Sequence, residues 1–540
     1  MNQSNSLLRE TFILTIAALI TKILSAVYRV PFQNIVGDVG FYIYQQVYPF
    51  YGLALSLATY GFPVVISKLY IEYGQRNERN EIRKLMIISG SLLSLFGFFL
   101  FLFTYLGANW LALQMNDLKL SFLLKVISFI FLLFPIVSIF RGFFQGKGNM
   151  VPTAVSQVSE QLIRVATILI ASPFLIYHGY SLYVVGGGAF FGSIAGSLVA
   201  MLVLLTIWVY KEGKSDIHDW QILKNIKFKE IKFIGKVLMI EGLAVSISSL
   251  LLILLQLADS LNLYSLLIQL GIDREEAKGL KGIYDRGQPL IQLGTILATS
   301  MSLSLVPMIT NEKLTNNIEF LIDKIRLSLK MSVFIGIGAT VGLYSIIKPT
   351  NIMLFENVQG SDVLSLITLL IFFGSIIMTL SAILQGLGNT LYPAIIIIIG
   401  FSLKYGLNML FVPIYHTFGA ALASVLSFAL ISILLYRRLK KYFIQAIIDT
   451  RLYIQIGVSA ICMKLVLDTY LLLTDFIYIF GHDRMAATAQ ALSAVVIGGF
   501  VFLWVAIKGN VFKEEELYLL PFGSKLIWLL PKGKRSDLRE

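Results

Sequence analysis

Apolar stretches of about 20 residues follow one another along most of the chain, each long enough to cross a roughly 30 Å hydrocarbon core. Inside lipid the backbone must satisfy its own hydrogen bonds, so stretches of this kind are helices. Composition agrees. Of 540 residues, 57% are hydrophobic and only 14% are charged, with a mean hydropathy of +0.79; a soluble domain carries about 25% charged residues. The expected fold is an all-α polytopic membrane protein with about fourteen spans. These lie near 11–30, 41–68, 85–108, 120–140, 152–177, 182–209, 233–258, 282–309, 327–347, 363–385, 391–413, 417–436, 452–474 and 486–507.

An internal echo gives the organisation. Gln145-Gly146-Lys147-Gly148-Asn149 recurs 240 residues later as Gln385-Gly386-Leu387-Gly388-Asn389, each copy between two apolar runs. At the same offset Pro49, Leu53, Leu57, Ala58 and Thr59 match Pro289, Leu293, Leu297, Ala298 and Thr299, and Arg164 matches Lys404. The chain reads as a duplication. The expected parts are a six-helix lobe at 1–210, a basic linker at 211–232 and a second six-helix lobe at 233–441. Two additional helices at 442–510 and a basic tail at 511–540 follow. Six spans is an even number, so both copies run the same way through the membrane. A pseudo-two-fold axis along the membrane normal then relates them, with a cavity between. In the repeated motif, glycines flanking a tight turn need only be structural, and gating is the alternative reading of Gln145, Gly146, Gly148, Asn149 and their copies.

Basic residues set the orientation. With the N-terminus inside, the inside connections hold Lys68, Arg76, Arg83, Lys84, Arg141, Lys147, Lys229, Lys232, Lys324, Arg437 and Lys440, among others. Outside connections are nearly free of Lys and Arg, except 259–281. Both termini are therefore expected in the cytoplasm. The net charge of +13 is explained by these loops and calls for no nucleic acid. Trp528, Leu529 and Leu530 beside Lys532 to Arg535 suit a segment lying on an anionic leaflet.

Ionisable groups inside spans cost roughly 2.5–3.5 kcal/mol each on the lenient insertion scale, so they usually face a cavity or a partner. Span one holds Lys22 and Arg29; span five Glu160 and Arg164; span eleven Lys404; span eight opens with Asp285 and Arg286. Glu241 and Asp259, at the two ends of span seven, are candidates for gating or coupling. Each has a plainer reading. Glu160 and Arg164 are spaced to neutralise each other, as are Lys464 and Asp468. Arg29, Asp259, Asp285 and Arg286 could snorkel from span ends to headgroups. Lys22 and Lys404 lie deepest without a carboxylate one turn away. A cavity lined by Lys22, Arg29, Arg286, Arg164 and Lys404 would suit an anion, above all a phosphate or diphosphate.

Enzyme signatures are missing: the chain has no HExxH, no GxSxG and no DxD cluster. Cys462 is the only cysteine, and His178, His218, His416 and His482 are scattered, so neither a cofactor nor a metal site is expected.

Fourteen spans, two six-span halves and the QGxGN turns resemble the polysaccharide-transporter branch of the multidrug/oligosaccharidyl-lipid/polysaccharide exporter superfamily. The opening Thr21-Lys22-Ile23-Leu24 through Tyr28-Arg29-Val30-Pro31-Phe32-Gln33-Asn34 and Gly37 looks like the stage V sporulation protein B and YabM-type group, relatives of the MurJ lipid II flippases. The resemblance implies two lobes in a V, alternating access and a bacterial cytoplasmic membrane. It makes Lys22, Arg29 and Arg286 beside Asp285 candidates for a central cavity that takes a diphosphate–sugar headgroup. It gives spans thirteen and fourteen a groove for a polyprenyl tail. The expected substrate is an undecaprenyl-diphosphate-linked saccharide, moved by a monomer, with cell-wall synthesis proteins as candidate partners. Two rivals remain. One is a cation-coupled drug exporter of the same superfamily, usually of twelve spans with acidic cavity residues; the other is a non-transporting scaffold of wall synthesis.

Overall fold

The computed structural model describes residues 2–74, 79–212, 226–296, 298, 309, 318–443, 450–477, 483–512 and 514–517. Most of the linker, Leu297, Thr299, Lys313, His218, His482 and the segment from Trp528 to Arg535 lie outside the described residues. Among the described residues every regular element is helical.

Among the described residues eleven helical stretches are long and apolar enough to cross a membrane. Two of them hold two crossings each. Ile13–Gly74 has 62 residues and Leu391–Lys440 has 50; at about 1.5 Å per residue these measure roughly 93 and 75 Å, more than twice the core thickness. Each reverses at a residue with positive φ: Gly37 (φ 68°) in the first and His416 (φ 52°) in the second. Helical residues 274–285 and 287–296 add one more crossing, which brings the count among the described residues to fourteen.

In chain order, α1 (Asn2–Val27), α2 (Arg29–Ser56) and α3 (Phe62–Gly74) make the first two crossings. Next come α4 (Arg79–Leu106), α5 (Ala108–Gln114), α6 (Leu120–Ser128), α7 (Ile130–Gly146), α8 (Val151–Tyr177) and α9 (Leu182–Glu212), which complete the first lobe. The second lobe holds α10 (Phe228–Val237), α11 (Leu243–Ser249), α12 (Leu251–Gln269), α13 (Arg274–Asp285), α14 (Ile318–Ser345), α15 (Ile347–Phe355), α16 (Ser361–Gly386) and α17 (Leu391–Lys440). The last two crossings are α18 (Thr450–Ile477) and α19 (Arg484–Lys508), followed by the short α20 (Glu514–Leu517). They pack on α14 through a small separate core in which Phe334 stacks on Phe502 and meets Phe512 edge-on.

The lobes meet along α2 and α11–α13. Two π-helical turns, Leu57–Gly61 and Leu238–Gly242, cross there. A side chain on Gly61 would come within 2.7 Å of the Gly242 carbonyl, so only glycine lets these backbones touch. Hydrogen bonds tie the rest of the seam: Gln46 Nε2 donates to the Ser260 carbonyl (3.1 Å), and Ser56 Oγ donates to the Ser246 carbonyl (3.1 Å).

Three expectations change. The connection at 259–281 is not a loop: α12 runs on to Gln269 and α13 begins at Arg274, so Asp259 lies inside a helix. Of the three basic residues that made 259–281 an exception to the charge rule, Lys278 and Lys281 are buried helix residues rather than loop charges, and Arg274 is the exposed first residue of α13. Arg141 likewise lies in α7 and is fully buried.

Candidate functional site

A cavity of about 160 Å³ opens between the lobes. The first lobe contributes Lys22, Tyr48, Gln157, Glu160 and Gln161; the second contributes Leu252 and Gln292, with others. Lys22 has no ion-pair or hydrogen-bond partner among the described residues, so its ammonium is available to the cavity.

Behind this wall stands a shell of tyrosines holding two arginines. Arg164, on α8, donates to Tyr28 Oη (2.7 Å) and Tyr44 Oη (2.8 Å), and its guanidinium lies 4.1 Å from the Tyr51 ring centroid. Arg29 follows a bend at Tyr28 and is fully buried. None of its three guanidinium nitrogens finds a hydrogen-bond partner, and its charge rests 4.3 Å from the Tyr48 ring centroid. Cation–π contact with a desolvated guanidinium is worth about 2 kcal/mol, less than full compensation for a buried charge. Tyr48 faces the cavity, so this only partly compensated positive charge lies one ring behind its surface.

Glu160 does not neutralise Arg164, its neighbour one turn on. It accepts from Arg141 Nη2 (2.8 Å) and Ser197 Oγ (2.9 Å), and Arg141 is held further by Ser156 Oγ (3.1 Å) and Thr59 Oγ1 (3.0 Å). Sequence reasoning missed Arg141, because a basic residue at a helix end beside a glycine-rich turn reads as a loop charge. Its position three residues before Phe144, inside an apolar run, was the available signal.

Lys404 and Asp259 form an ion pair deep in the second lobe, both buried. Asn408 Nδ2 donates to Asp259 Oδ1 (3.0 Å) and Tyr284 Oη to Asp259 Oδ2 (2.9 Å). The 240-residue offset relates Arg164 to Lys404 and Tyr44 to Tyr284, so the two polar nodes occupy matching places. Their charge balance differs, since only the second contains a carboxylate.

Asp285 and Arg286 sit at a bend inside the span rather than opening it, and both are buried, so neither snorkels. Asp285 pairs with Lys281 one turn earlier (2.7 Å). Arg286 crosses to the first lobe, gripping Asp38 through Nε (2.9 Å) and Nη2 (2.7 and 2.6 Å), while Asn357 Oδ1 accepts from Nη1 (2.8 Å). At the other end of the same seam Lys68 pairs with Glu241 (3.0 Å), both partly exposed. Thus Lys22 lines the cavity, Arg29 and Arg164 back it, and Arg286 and Glu241 bridge the lobes at opposite ends. Lys404 and Asp259 sit apart in the second lobe.

The repeated QGxGN turns cap helices. Gly148 (φ 74°) and Gly388 (φ 85°) take the left-handed conformation; Asn149 N donates to Phe144 O (3.0 Å) and Asn389 N to Leu384 O (2.8 Å). This is the Schellman arrangement, which satisfies the last carbonyls of a helix. Lys464 and Asp468 pair with each other on the half-exposed face of α18.

Two six-helix lobes around a polar cavity, with two further helices on one side, define the fold of a membrane transporter. The structure is similar to that of a lipid II flippase MurJ in an inward closed conformation, with a TM-score of 0.67 and 18% identity over 92% of this chain and 98% of that one. It is also similar to an inward-facing multidrug resistance MATE family transporter of the MOP superfamily (TM-score 0.62, 17% identity, 78% and 94% covered). Residues 7–312 match the family model described as polysaccharide biosynthesis protein. Along 516 residues, 95% of each protein, the chain is 47% identical to the uncharacterized membrane protein YabM of Bacillus subtilis. It is 28% identical to the lipid II flippase MurJ of the same organism, over 93% of this chain and 95% of that protein. The chain belongs to the polysaccharide biosynthesis protein family.

Proposed function

We propose that this protein flips an undecaprenyl-diphosphate-linked saccharide across a bacterial cytoplasmic membrane by alternating access, with both termini in the cytoplasm. The observation that carries the reading is the cavity between the lobes, where unpaired Lys22 stands among the amides of Gln157, Gln161 and Gln292. An ammonium suits a diphosphate, and amides suit sugar hydroxyls. Arg29 and Arg164 add positive potential from behind Tyr48 without touching the ligand. Relatives named for lipid II flipping support the same reading.

Alternating access needs contacts that break at one end while they form at the other. Asp38–Arg286 and Lys68–Glu241 are suited to this, since each joins the lobes at one end of the seam. A drug exporter using acidic cavity residues fits less well: the cavity carboxylate Glu160 is already committed to Arg141.

The test is flipping of a fluorescent undecaprenyl-diphosphate saccharide in liposomes. A charge-assisted hydrogen bond contributes ~1.5–3 kcal/mol, so Lys22→Gln is expected to slow flipping roughly ten- to a hundredfold, with the fold intact by thermal unfolding. Unchanged flipping in a well-folded Lys22→Gln variant would remove the headgroup role.

A further inference from the structure

Among the described residues Lys22 is the one cation that lines the central cavity, and Glu160 the one carboxylate. Glu160 is already engaged by Arg141 Nη2 (2.8 Å) and Ser197 Oγ (2.9 Å). We propose that the cavity selects a headgroup whose only ionised part is its diphosphate: a neutral saccharide bearing hydroxyl and amide groups, in preference to one carrying an ionised peptide. This names a substrate class within the flippase reading and rests on it.

The first argument is that the positive charge stands on one wall. Lys22 and, behind Tyr48, Arg29 and Arg164 all belong to the first lobe. A diphosphate placed against that wall meets their combined potential. The rest of the headgroup then lies toward the second lobe.

The second argument is what the second lobe offers. Its wall is mainly apolar, with Leu250, Leu252, Ile253 and Met378. The hydroxyls there serve their own helices: Ser249 Oγ donates to the Ser246 carbonyl (2.7 Å) and Thr295 Oγ1 to the Ile291 carbonyl (2.8 Å). An ammonium or carboxylate of a peptide would lose its water against this wall and find no opposite charge. Burying an unpaired charge costs far more than burying a hydroxyl that has a partner.

The third is a set of amides with unspent hydrogen-bonding capacity. Gln157 and Gln161 lie one turn apart on α8, and Gln292 lines the cavity from the other lobe. Among the described residues the side-chain amides of Gln157 and Gln292 make no hydrogen bond, and Gln161 Nε2 is buried without a partner. Leaving a buried amide unpaired is costly, so a ligand that pairs it is favoured. An amide both donates and accepts, which matches a hydroxyl or an acetamido group; a carboxylate only accepts and an ammonium only donates.

Sites built to hydrogen-bond discriminate more sharply than apolar ones, because the wrong ligand leaves the site's buried polar groups unpaired. Gln157 and Gln292 come from opposite lobes, so one saccharide engages both only while the lobes hold it between them. The sugar is thereby read by the two lobes together, whereas the diphosphate is held by the first lobe alone.

The experiment follows three fluorescent lipids in liposomes holding the full chain: undecaprenyl diphosphate, undecaprenyl-diphosphate N-acetylglucosamine, and lipid II, whose saccharide carries a peptide. The N-acetylglucosamine lipid is expected to flip faster than lipid II by about tenfold or more. Gln157→Leu with Gln292→Leu is expected to slow the N-acetylglucosamine lipid about tenfold more than bare undecaprenyl diphosphate, whereas Lys22→Gln slows all three. Lipid II flipping as fast as the N-acetylglucosamine lipid overturns the inference and leaves the flippase reading standing. So does a double variant that slows the N-acetylglucosamine lipid and the bare diphosphate equally, since the amides would then serve packing alone. If none of the lipids moves, the flippase reading falls and the inference with it.

Discussion

Arg141 shows how a single residue changes the electrostatics of the cavity. Its guanidinium reaches Glu160, Ser156, Thr59 and the Ala58 carbonyl, so a carboxylate that borders the cavity is neutralised from behind. Removing one partner of a buried pair leaves an uncompensated charge, at a cost of ~3–5 kcal/mol, whereas replacing both with apolar or neutral groups is often near neutral. Arg141→Met is therefore expected to lower the unfolding midpoint in detergent markedly, and Arg141→Met with Glu160→Gln to recover most of it. A double variant as unstable as the single one would place the role of Arg141 in its bonds to Thr59 and Ser156 instead. At this scale the sequence was a partial guide. Lys22, Glu160, Arg164 and Lys404 were visible as charges inside apolar runs and Asp259 as one at a span end, but their partners were not. The i,i+4 spacing of Glu160 and Arg164 suggested a pair that the fold declines, because Arg141 and the tyrosines approach from other helices.

Elements carry the duplication. The two QGxGN turns end α7 and α16 in the same way, with a left-handed glycine and a 6→1 backbone hydrogen bond. Gly146 adds a packing constraint: a Cβ there would sit 2.6 Å from Tyr70. A left-handed backbone costs a non-glycine residue about 1–2 kcal/mol. Gly148→Ala and Gly388→Ala are thus each expected to lower thermal stability modestly while flipping per folded molecule stays within about twofold, measured in the same liposomes. A severe transport loss with intact stability would make these turns part of the gate. The breaks within spans were harder to foresee. Asp285 and Arg286 read as a span entrance because hydropathy falls there, yet the helix had already begun at Arg274. Window averages report where apolar character starts, and a helix whose first turns bury charges among other helices begins earlier than that.

The whole molecule has two bridges across one seam, and their strengths differ. Arg286 is fully buried and makes three hydrogen bonds to Asp38, whereas Lys68 and Glu241 keep side-chain exposures of 53% and 34%. An exposed ion pair contributes ~0–1 kcal/mol, while cutting a buried one costs several times more. A shift of ~1.4 kcal/mol already changes a conformational ratio tenfold. Asp38→Asn is therefore expected to populate the state open at its own end, seen as a longer distance between spin labels placed beside residues 38 and 282. Glu241→Gln should change the opposite distance little. Equal effects at both ends would show that the seam is held by its apolar contacts and the Gly61–Gly242 crossing rather than by these charges.

The sequence by itself determined the membrane class, the fourteen crossings, the duplication and the sign of the buried charge. Those follow from run length, composition and a fixed offset, which are local or periodic properties of the chain. Only the tertiary structure decided which cation is available. Arg286 is taken by Asp38, Lys404 by Asp259 and Arg164 by tyrosines, and Lys22 alone among the expected cavity cations both faces the cavity and lacks a partner among the described residues. Those partners come from positions 120 to 248 residues away. A charge inside a membrane must find an opposite charge or a polar group in space, and nothing along the chain records which helix supplies it.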